Sequence, residues 1–238
     1  MELIIYLLIG AIAGFTAGLF GVGGGLIIVP ILYVVFSQLN YDPSVIMHMA
    51  VGTSLATIIV TSISSVSAHH KKGAVLWHVF KNLAPGLAAG SFIGAGIAGL
   101  ISGQGLQLLI GCFAIWVAFK MFRGAGVAVD PQRRMPSAPM QLAAGGGIGI
   151  ASAIFGIGGG AIHVPLMIYA LKFPIHIATA TSHFVLTISS FIAVISHFLF
   201  GNILMSTALS IGFGAVIGAQ IGAKISQKTK PKYIITLL

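Results

Sequence analysis

The sequence predicts an all-α integral membrane protein made of two inverted-topology repeats, and three observations lead to this prediction. Of the 238 residues, 57% are hydrophobic and 6% are charged, whereas about 25% charged residues are usual in a soluble domain. The 12 basic and 3 acidic residues crowd into short stretches and leave apolar runs of about 20 residues, the length of a transmembrane helix. A glycine-rich motif of the first half also recurs in the second half. This pattern excludes a soluble domain and a basic nucleic-acid-binding surface.

Apolar segments follow one another along the whole chain, at residues 3–20, 26–36, 45–68, 83–101, 106–122, 140–155, 161–171, 175–200, 203–225 and from 233 onward. We expect helices throughout, because lipid cannot satisfy an open sheet edge. The polar stretch 123–139, rich in Pro and Gly, predicts a basic cytoplasmic linker between an N-terminal repeat (1–122) and a C-terminal repeat (140–238). The chain ends where the counterpart of 106–122 would begin, so we expect the last helix to be truncated.

The internal repeat is an ordered series of matching residues. Phe20, Gly21, Gly23, Gly24, Gly25 and Pro30 recur 135 positions later as Phe155, Gly156, Gly158, Gly159, Gly160 and Pro165. Further along, the shift is 128 positions, and it relates Thr53-Ser54 to Thr181-Ser182, His69 to His197, and Gly86, Gly90 and Gly94 to Gly214, Gly218 and Gly222. The difference between the two shifts falls in the loop at 38–43, where an insertion is easily accommodated.

The basic residues predict how the two halves sit in the membrane. Cytoplasmic loops of membrane proteins are enriched in Lys and Arg, and the turns at 102–105 and 201–202 have none. The cytoplasmic groups are then Lys71, Lys72, Lys81, Lys120, Arg123, Arg133 and Arg134 in the first half, and Lys224, Lys228, Lys230 and Lys232 in the second. Equivalent loops therefore lie on opposite sides, which requires an odd number of crossings per half. A V-shaped or re-entrant hairpin at each glycine run, followed by three spans, gives an odd number of crossings. A hairpin whose two arms both cross the membrane also leaves the number of crossings per half odd.

The two glycine runs predict an anion site built from backbone. Glycine adopts positive φ without strain, so each run can turn the chain and expose amides at the positive N-terminus of the following helix. Two such turns entering from opposite sides would meet near the membrane midplane. The competing interpretation is that the glycines only permit tight helix packing. The only acids, Glu2, Asp42 and Asp130, fall outside the spans, which argues against a cation held by a charged ligand.

The remaining candidates are polar residues in the long spans. Thr53, Ser54, Thr181 and Ser182 could donate hydrogen bonds to an oxyanion or bond back to their own helix. His69 and His197 could carry coupled protons or mark helix ends at the interface. No two His residues are four positions apart and Cys112 is the single cysteine, so we expect no metal site, no cofactor and no catalytic group. Glycines four apart, including Gly10, Gly14 and Gly18, predict close helix packing.

The doubled Phe-Gly-x-Gly-Gly-Gly-x4-Pro motif, with its Thr-Ser span and His-x3-Gly helix end, resembles the TauE/SafE sulfite exporter family, also called toluene sulfonate uptake permeases. The resemblance covers essentially the whole chain and implies a bacterial or archaeal carrier of sulfur-containing anions in the cytoplasmic membrane. It assigns functional importance to Phe20, Gly21, Gly23 to Gly25 and Pro30 and to their counterparts in the second half. It fixes neither the substrate nor the direction of transport.

Together these observations predict a multi-pass secondary transporter of sulfite or a small organosulfonate. The anion would bind between the two glycine runs and cross by alternating access, with protons as the candidate coupling ion. A passive channel for anions or small neutral solutes uses similar half-helices and is the alternative. Gradient-coupled, saturable flux distinguishes the carrier from the channel.

Overall fold

The structure is a computed structural model that describes residues 2–21, 23–70, 77–124, 137–167 and 175–229. Within these ranges the chain is helical and contains no strand, which confirms the predicted all-α class. The helices are α1 (Glu2–Phe20), α2 (Gly25–Gln38), α3 (Ile46–His70), α4 (Trp77–Leu100), α5 (Gly103–Gly124), α6 (Ala138–Phe155), α7 (Gly160–Pro165), α8 (Ile175–Leu199) and α9 (Met205–Lys228).

Most helix bounds agree with the apolar segments, and the largest difference is at α4. This helix begins at Trp77, six residues before the apolar segment 83–101. It includes the exposed Lys81, whose long side chain can reach water from near a helix end while its stem stays among apolar groups. The segment from 233 onward, most of the linker and the end of the segment 161–171 lie outside the described residues.

Six of the described helices are long and apolar enough to cross a membrane: α1, α3, α4, α6, α8 and α9. Helix α2 and the 103–119 part of α5 are shorter. The expected multi-pass membrane protein is therefore confirmed. Large apolar side chains such as Leu8, Phe92 and Phe213 are exposed, as expected for surfaces that contact lipid tails rather than water.

Closely packed helix pairs join the two halves. Helix α1 lies on α9, with Gly10 against Ile211 and Gly18 against Ala219. Helix α4 lies on α6 in the same manner, and Gly94 contacts the backbone of Ile150 there. At each of these glycines a Cβ atom would collide with the neighbouring backbone, which confirms the predicted packing role of glycines four apart. Further backbone contacts of this kind are made by Gly14, Gly86, Gly90, Gly214, Gly218 and Gly222.

The order of these contacts gives the relative directions of the helices. Residue numbers rise together along α1 and α9, and also along α4 and α6, so each pair is parallel. Helix α3 is parallel to α9, since Thr53 contacts Leu204 and Thr57 contacts Ala208. It is antiparallel to α4, because His48 near its start contacts Ile101 just beyond the end of α4. Helices α1 and α6, which are equivalent in sequence, therefore run in opposite directions.

Candidate functional site

The two glycine runs form tight turns between helices. Tip 1 (residues 20–25) joins α1 to α2, and tip 2 (residues 155–160) joins α6 to α7. Three glycines in each tip have left-handed φ angles that strain an L side chain: Gly21 (74°), Gly23 (89°), Gly24 (74°), Gly156 (69°), Gly158 (70°) and Gly159 (92°). Gly24 and Gly159 are also the N-cap residues of α2 and α7. The predicted reason for glycine at these turns is confirmed.

The tips are in direct contact with each other. A Cβ atom on Gly25 would lie 2.5 Å from the carbonyl oxygen of Gly156 and 2.6 Å from the Cα atom of Ile157. The side chain of Leu186 in α8 reaches both tips, since its Cδ2 atom lies 2.7 Å from a Cβ position at Gly23 and 2.5 Å from one at Gly158. A Cβ atom at Gly25 would therefore collide with tip 2, so glycine is required at this position for the contact between the tips.

At both tips, several backbone amides have no hydrogen-bond partner among the residues that the structure describes. The amides of Ile27 and Ile28 donate to the carbonyl oxygen of Gly24, and those of Ile162 and His163 donate to Gly159. The preceding amides, at residues 23–26 and 157–161, make no hydrogen bond within the described part of the chain. Buried unpaired N–H groups are rare in proteins, and at the positive ends of helices they suit a negatively charged ligand.

The Thr-Ser pairs hold each long span to the tip of the other half. The Ser54 hydroxyl donates to the carbonyl oxygen of Gly156 at 2.8 Å, and the Ser182 hydroxyl donates to that of Gly21 at 3.0 Å. Neither hydroxyl bonds back to its own helix. Thr53 accepts a hydrogen bond from the Leu204 amide at 3.1 Å. In this structure the two serines therefore position the tips.

The other predicted residues flank this arrangement. Phe155 stacks on Phe113 of α5 with ring centroids 4.4 Å apart. His197 is 1% exposed and its Nε2 atom lies 3.4 Å from the carbonyl oxygen of Ala153, so it lies buried against α6. The side chain of His69 lies outside the described residues. Four further predicted residues have simple placements: Phe20 is half-buried, Thr181 is buried, and Pro30 and Pro165 lie within α2 and α7.

Two features of the site escaped prediction. Ser189 donates to the carbonyl oxygen of Gly158 at 2.6 Å, and Ser152 donates to Ser189 at 3.3 Å. In the repeat, Ser189 corresponds to Thr61 and Ser152 corresponds to Ala17. A search for identical residues in the two halves therefore misses both serines. His48 lies 3.0 Å from the carbonyl oxygen of Ile101. The signal that could have found it is His176, which stands 128 positions later, the same shift that relates the Thr-Ser pairs.

A pocket of about 710 Å³ lies away from the tips, between the α2–α3 loop and the α4–α5 turn. Its lining includes Asp42, Ser44, His48 and Ser102. The amide and hydroxyl of Ser44 both donate to the Asp42 carboxylate, and these hydrogen bonds hold its pKa below the usual 3.8. The pocket rim is therefore negatively charged at neutral pH, which disfavours it as an anion site compared with the tips.

Comparisons with known proteins give a consistent result. The family model described as "Sulfite exporter TauE/SafE" matches residues 6–238. A protein of Haemophilus influenzae named "Probable membrane transporter protein" is 37% identical over 166 residues, covering 69% of this chain and 62% of the relative. "Probable membrane transporter protein YunE" of Bacillus subtilis is 31% identical over 255 residues, covering 100% of this chain and 93% of the relative. A probable membrane transporter protein of Methanocaldococcus jannaschii is 29% identical over 242 residues, covering 98% and 89%. No solved structure matches the chain.

Proposed function

This chain belongs to the TauE/SafE sulfite exporter family, and on that premise we propose that it is a secondary transporter of a small sulfur-containing anion, sulfite or an organosulfonate. Membership of the family and the described spans make it a multi-pass membrane transporter. The observation that supports the finer proposal is the contact between two glycine tips whose amides make no hydrogen bond to the described part of the chain.

The proposed binding site consists of the tip residues of both halves. Their unpaired amides and the positive ends of α2 and α7 offer hydrogen-bond donors and partial positive charge, and the sequence places no acid in the surrounding spans to repel an anion. Ser54 and Ser182 hold the tips in place, and the adjacent Thr53 and Thr181 are further candidate residues of the site. An oxyanion can accept hydrogen bonds from several of these donors at once.

The proposed transport cycle uses the two closely packed pairs, α1 with α9 and α4 with α6, as rigid units. Each pair combines helices from both halves, and the opposite directions of α1 and α6 support an inverted-topology arrangement with the 123–139 linker in the cytoplasm. Rocking of one pair against the other about α3 and α8, which are in contact, would expose the tips to alternate sides of the membrane.

Proton coupling is the proposed energy source, with His197 and its counterpart His69 as the candidate carriers. His197 lies close to tip 2 through its contact with Ala153, so its charge state would affect an anion bound there. A passive channel is the second candidate, favoured by the same half-helix architecture. It predicts flux that neither saturates nor responds to a pH gradient.

The test is uptake of radiolabelled sulfite and sulfoacetate into proteoliposomes, with and without an imposed pH gradient. Saturable flux that responds to the gradient is expected. Gly24→Val and Gly159→Val should abolish it, because both positions have left-handed φ angles beside the site. Gly111→Val is the matched control, since a Cβ atom at Gly111 meets nothing within 4 Å. The amount and monodispersity of each purified variant show that it folds. Retained flux in both tip variants would overturn the proposed site.

A further inference from the structure

The two tips differ in the polar groups that surround them. Tip 2 is bordered by Ser152, Ser189 and Ser190, each fully buried. In the first repeat the matching residues are Ala17, Thr61 and Ser62. The two hydroxyls at these equivalent positions both donate within their own helix, because Thr61 donates to Ile58 at 3.0 Å and Ser62 donates to Ile59 at 3.1 Å. Tip 2 therefore has a serine cluster that tip 1 lacks.

Ser190 is the member of this cluster whose hydroxyl is unused. Its Oγ atom is buried and has no hydrogen-bond partner among the described residues. It lies 2.9 Å from the position of a Cβ atom on Gly158, so it is directed at the turn of tip 2. A buried hydroxyl without a partner loses its hydration without compensation, and such groups are few in native proteins.

The turn beside Ser190 contains further unused donors. The amides of residues 157–159 make no hydrogen bond within the described part of the chain. The Ser189 hydroxyl beside them donates to the carbonyl oxygen of Gly158 at 2.6 Å and accepts a hydrogen bond from Ser152 at 3.3 Å. One hydroxyl and several N–H groups thus lie at the same turn, with no carboxylate in the surrounding spans, and such a set of donors suits a small oxyanion.

We propose that the transported oxyanion binds mainly at tip 2, where the Ser190 hydroxyl donates a hydrogen bond to it together with the amides of the turn. This inference rests on the proposed transport function and deepens it, because it makes the site asymmetric. The ligand class is a sulfur oxyanion with at least two free oxygens, a sulfite ion or the sulfonate group of a small organosulfonate. Tip 1 then serves chiefly as the wall that closes the site through Gly25.

The test compares Ser190→Ala with Ser62→Ala, its counterpart in the first repeat, in the detergent-purified full chain. Binding of radiolabelled sulfite and sulfoacetate is measured by scintillation proximity, and flux is measured in proteoliposomes. Loss of one donor to an anion should weaken binding about tenfold in Ser190→Ala. Ser62→Ala should bind within about twofold of the wild type, because its hydroxyl is satisfied inside α3. Ser190→Cys, an isosteric change to a weak donor, should show the same loss as the alanine variant.

The outcomes separate this inference from the proposed function. If the wild type binds and transports the anion while both Ser190 variants behave like Ser62→Ala, the inference is overturned and the transport function stands. If Ser190→Ala weakens binding but no gradient-coupled flux is found, the site stands and the transporter is overturned. If the wild type neither binds nor transports either compound, both are overturned. Thermal melting of each variant shows that a loss of binding is not a loss of fold.

Discussion

Removing the Ser54 hydroxyl is expected to destabilise the protein by loosening the contact between α3 and tip 2. The hydroxyl donates to the carbonyl oxygen of Gly156 at 2.8 Å, and Ser54 is fully buried. Ser54→Ala leaves that carbonyl without its donor in a place that water does not reach. The cost of an unsatisfied buried group is about 1–3 kcal/mol.

The equivalent hydrogen bond in the other half, from Ser182 to Gly21, gives a second estimate of the stability lost when such a bond is removed. Ser182 donates to the carbonyl oxygen of Gly21 at 3.0 Å and is equally buried, so Ser182→Ala should cost a similar amount. For a chain of this size, 1 kcal/mol corresponds to about 2–4 °C in melting temperature. Each variant should therefore melt about 2–12 °C below the wild type.

Thermal melting in detergent at one fixed scan rate measures this shift, since unfolding of a membrane protein is commonly irreversible. Ser37→Ala is the matched control, because the Ser37 hydroxyl is exposed and bonds to Tyr33 in its own helix. It should melt within about 2 °C of the wild type. If Ser54→Ala and Ser182→Ala both melt together with Ser37→Ala, the serines do not hold the tips and the reasoning is refuted.

Two further predictions concern helix packing and membrane topology. Gly149→Ala should lower the melting temperature by several degrees, because its Cβ atom would lie 2.5 Å from a backbone carbonyl of α4. A Cβ atom at Gly147 on the same helix meets nothing within 4 Å, so Gly147→Ala should leave the melting temperature unchanged or slightly raised. Equal melting temperatures for the two variants would contradict the packing argument. In a Cys112→Ser background, Gln104→Cys and Asn202→Cys should both react with a membrane-impermeant maleimide added outside the cell. Labelling of only one of them from outside would rule out the inverted arrangement.

The sequence predicts the local features of this fold better than the contacts between distant segments. The positive φ angles at Gly24 and Gly159 follow from what a tight turn between two helices requires, and the glycine faces follow from helical spacing alone. The hydrogen bond from Ser54 to Gly156 joins residues 102 positions apart. It depends on how α3 crosses the second half, and no local pattern encodes that crossing.

The serine cluster at tip 2 shows a different reason for a missed residue. Repeat matching finds positions that both halves share, so it selects Thr53 and Ser54 and passes over Ser152, whose counterpart is Ala17. Repeat matching cannot find a site residue that is present in only one of the two halves. The extension of α4 to Trp77 was missed because hydropathy reports how apolar a segment is and not where its backbone hydrogen bonds end.

The pairing of α1 with α9 sets the order in which this protein can assemble during its synthesis. Helix α1 is made first, but its glycine face has no partner until α9 emerges about 200 residues later. At ribosomal speeds of about 5–20 residues per second, the wait is about 10–40 s. During that time the glycine face is covered only by lipid or by the insertion machinery. Helix α4 pairs with α6 much sooner, so the middle of the chain is expected to settle before its two outer helices close around it.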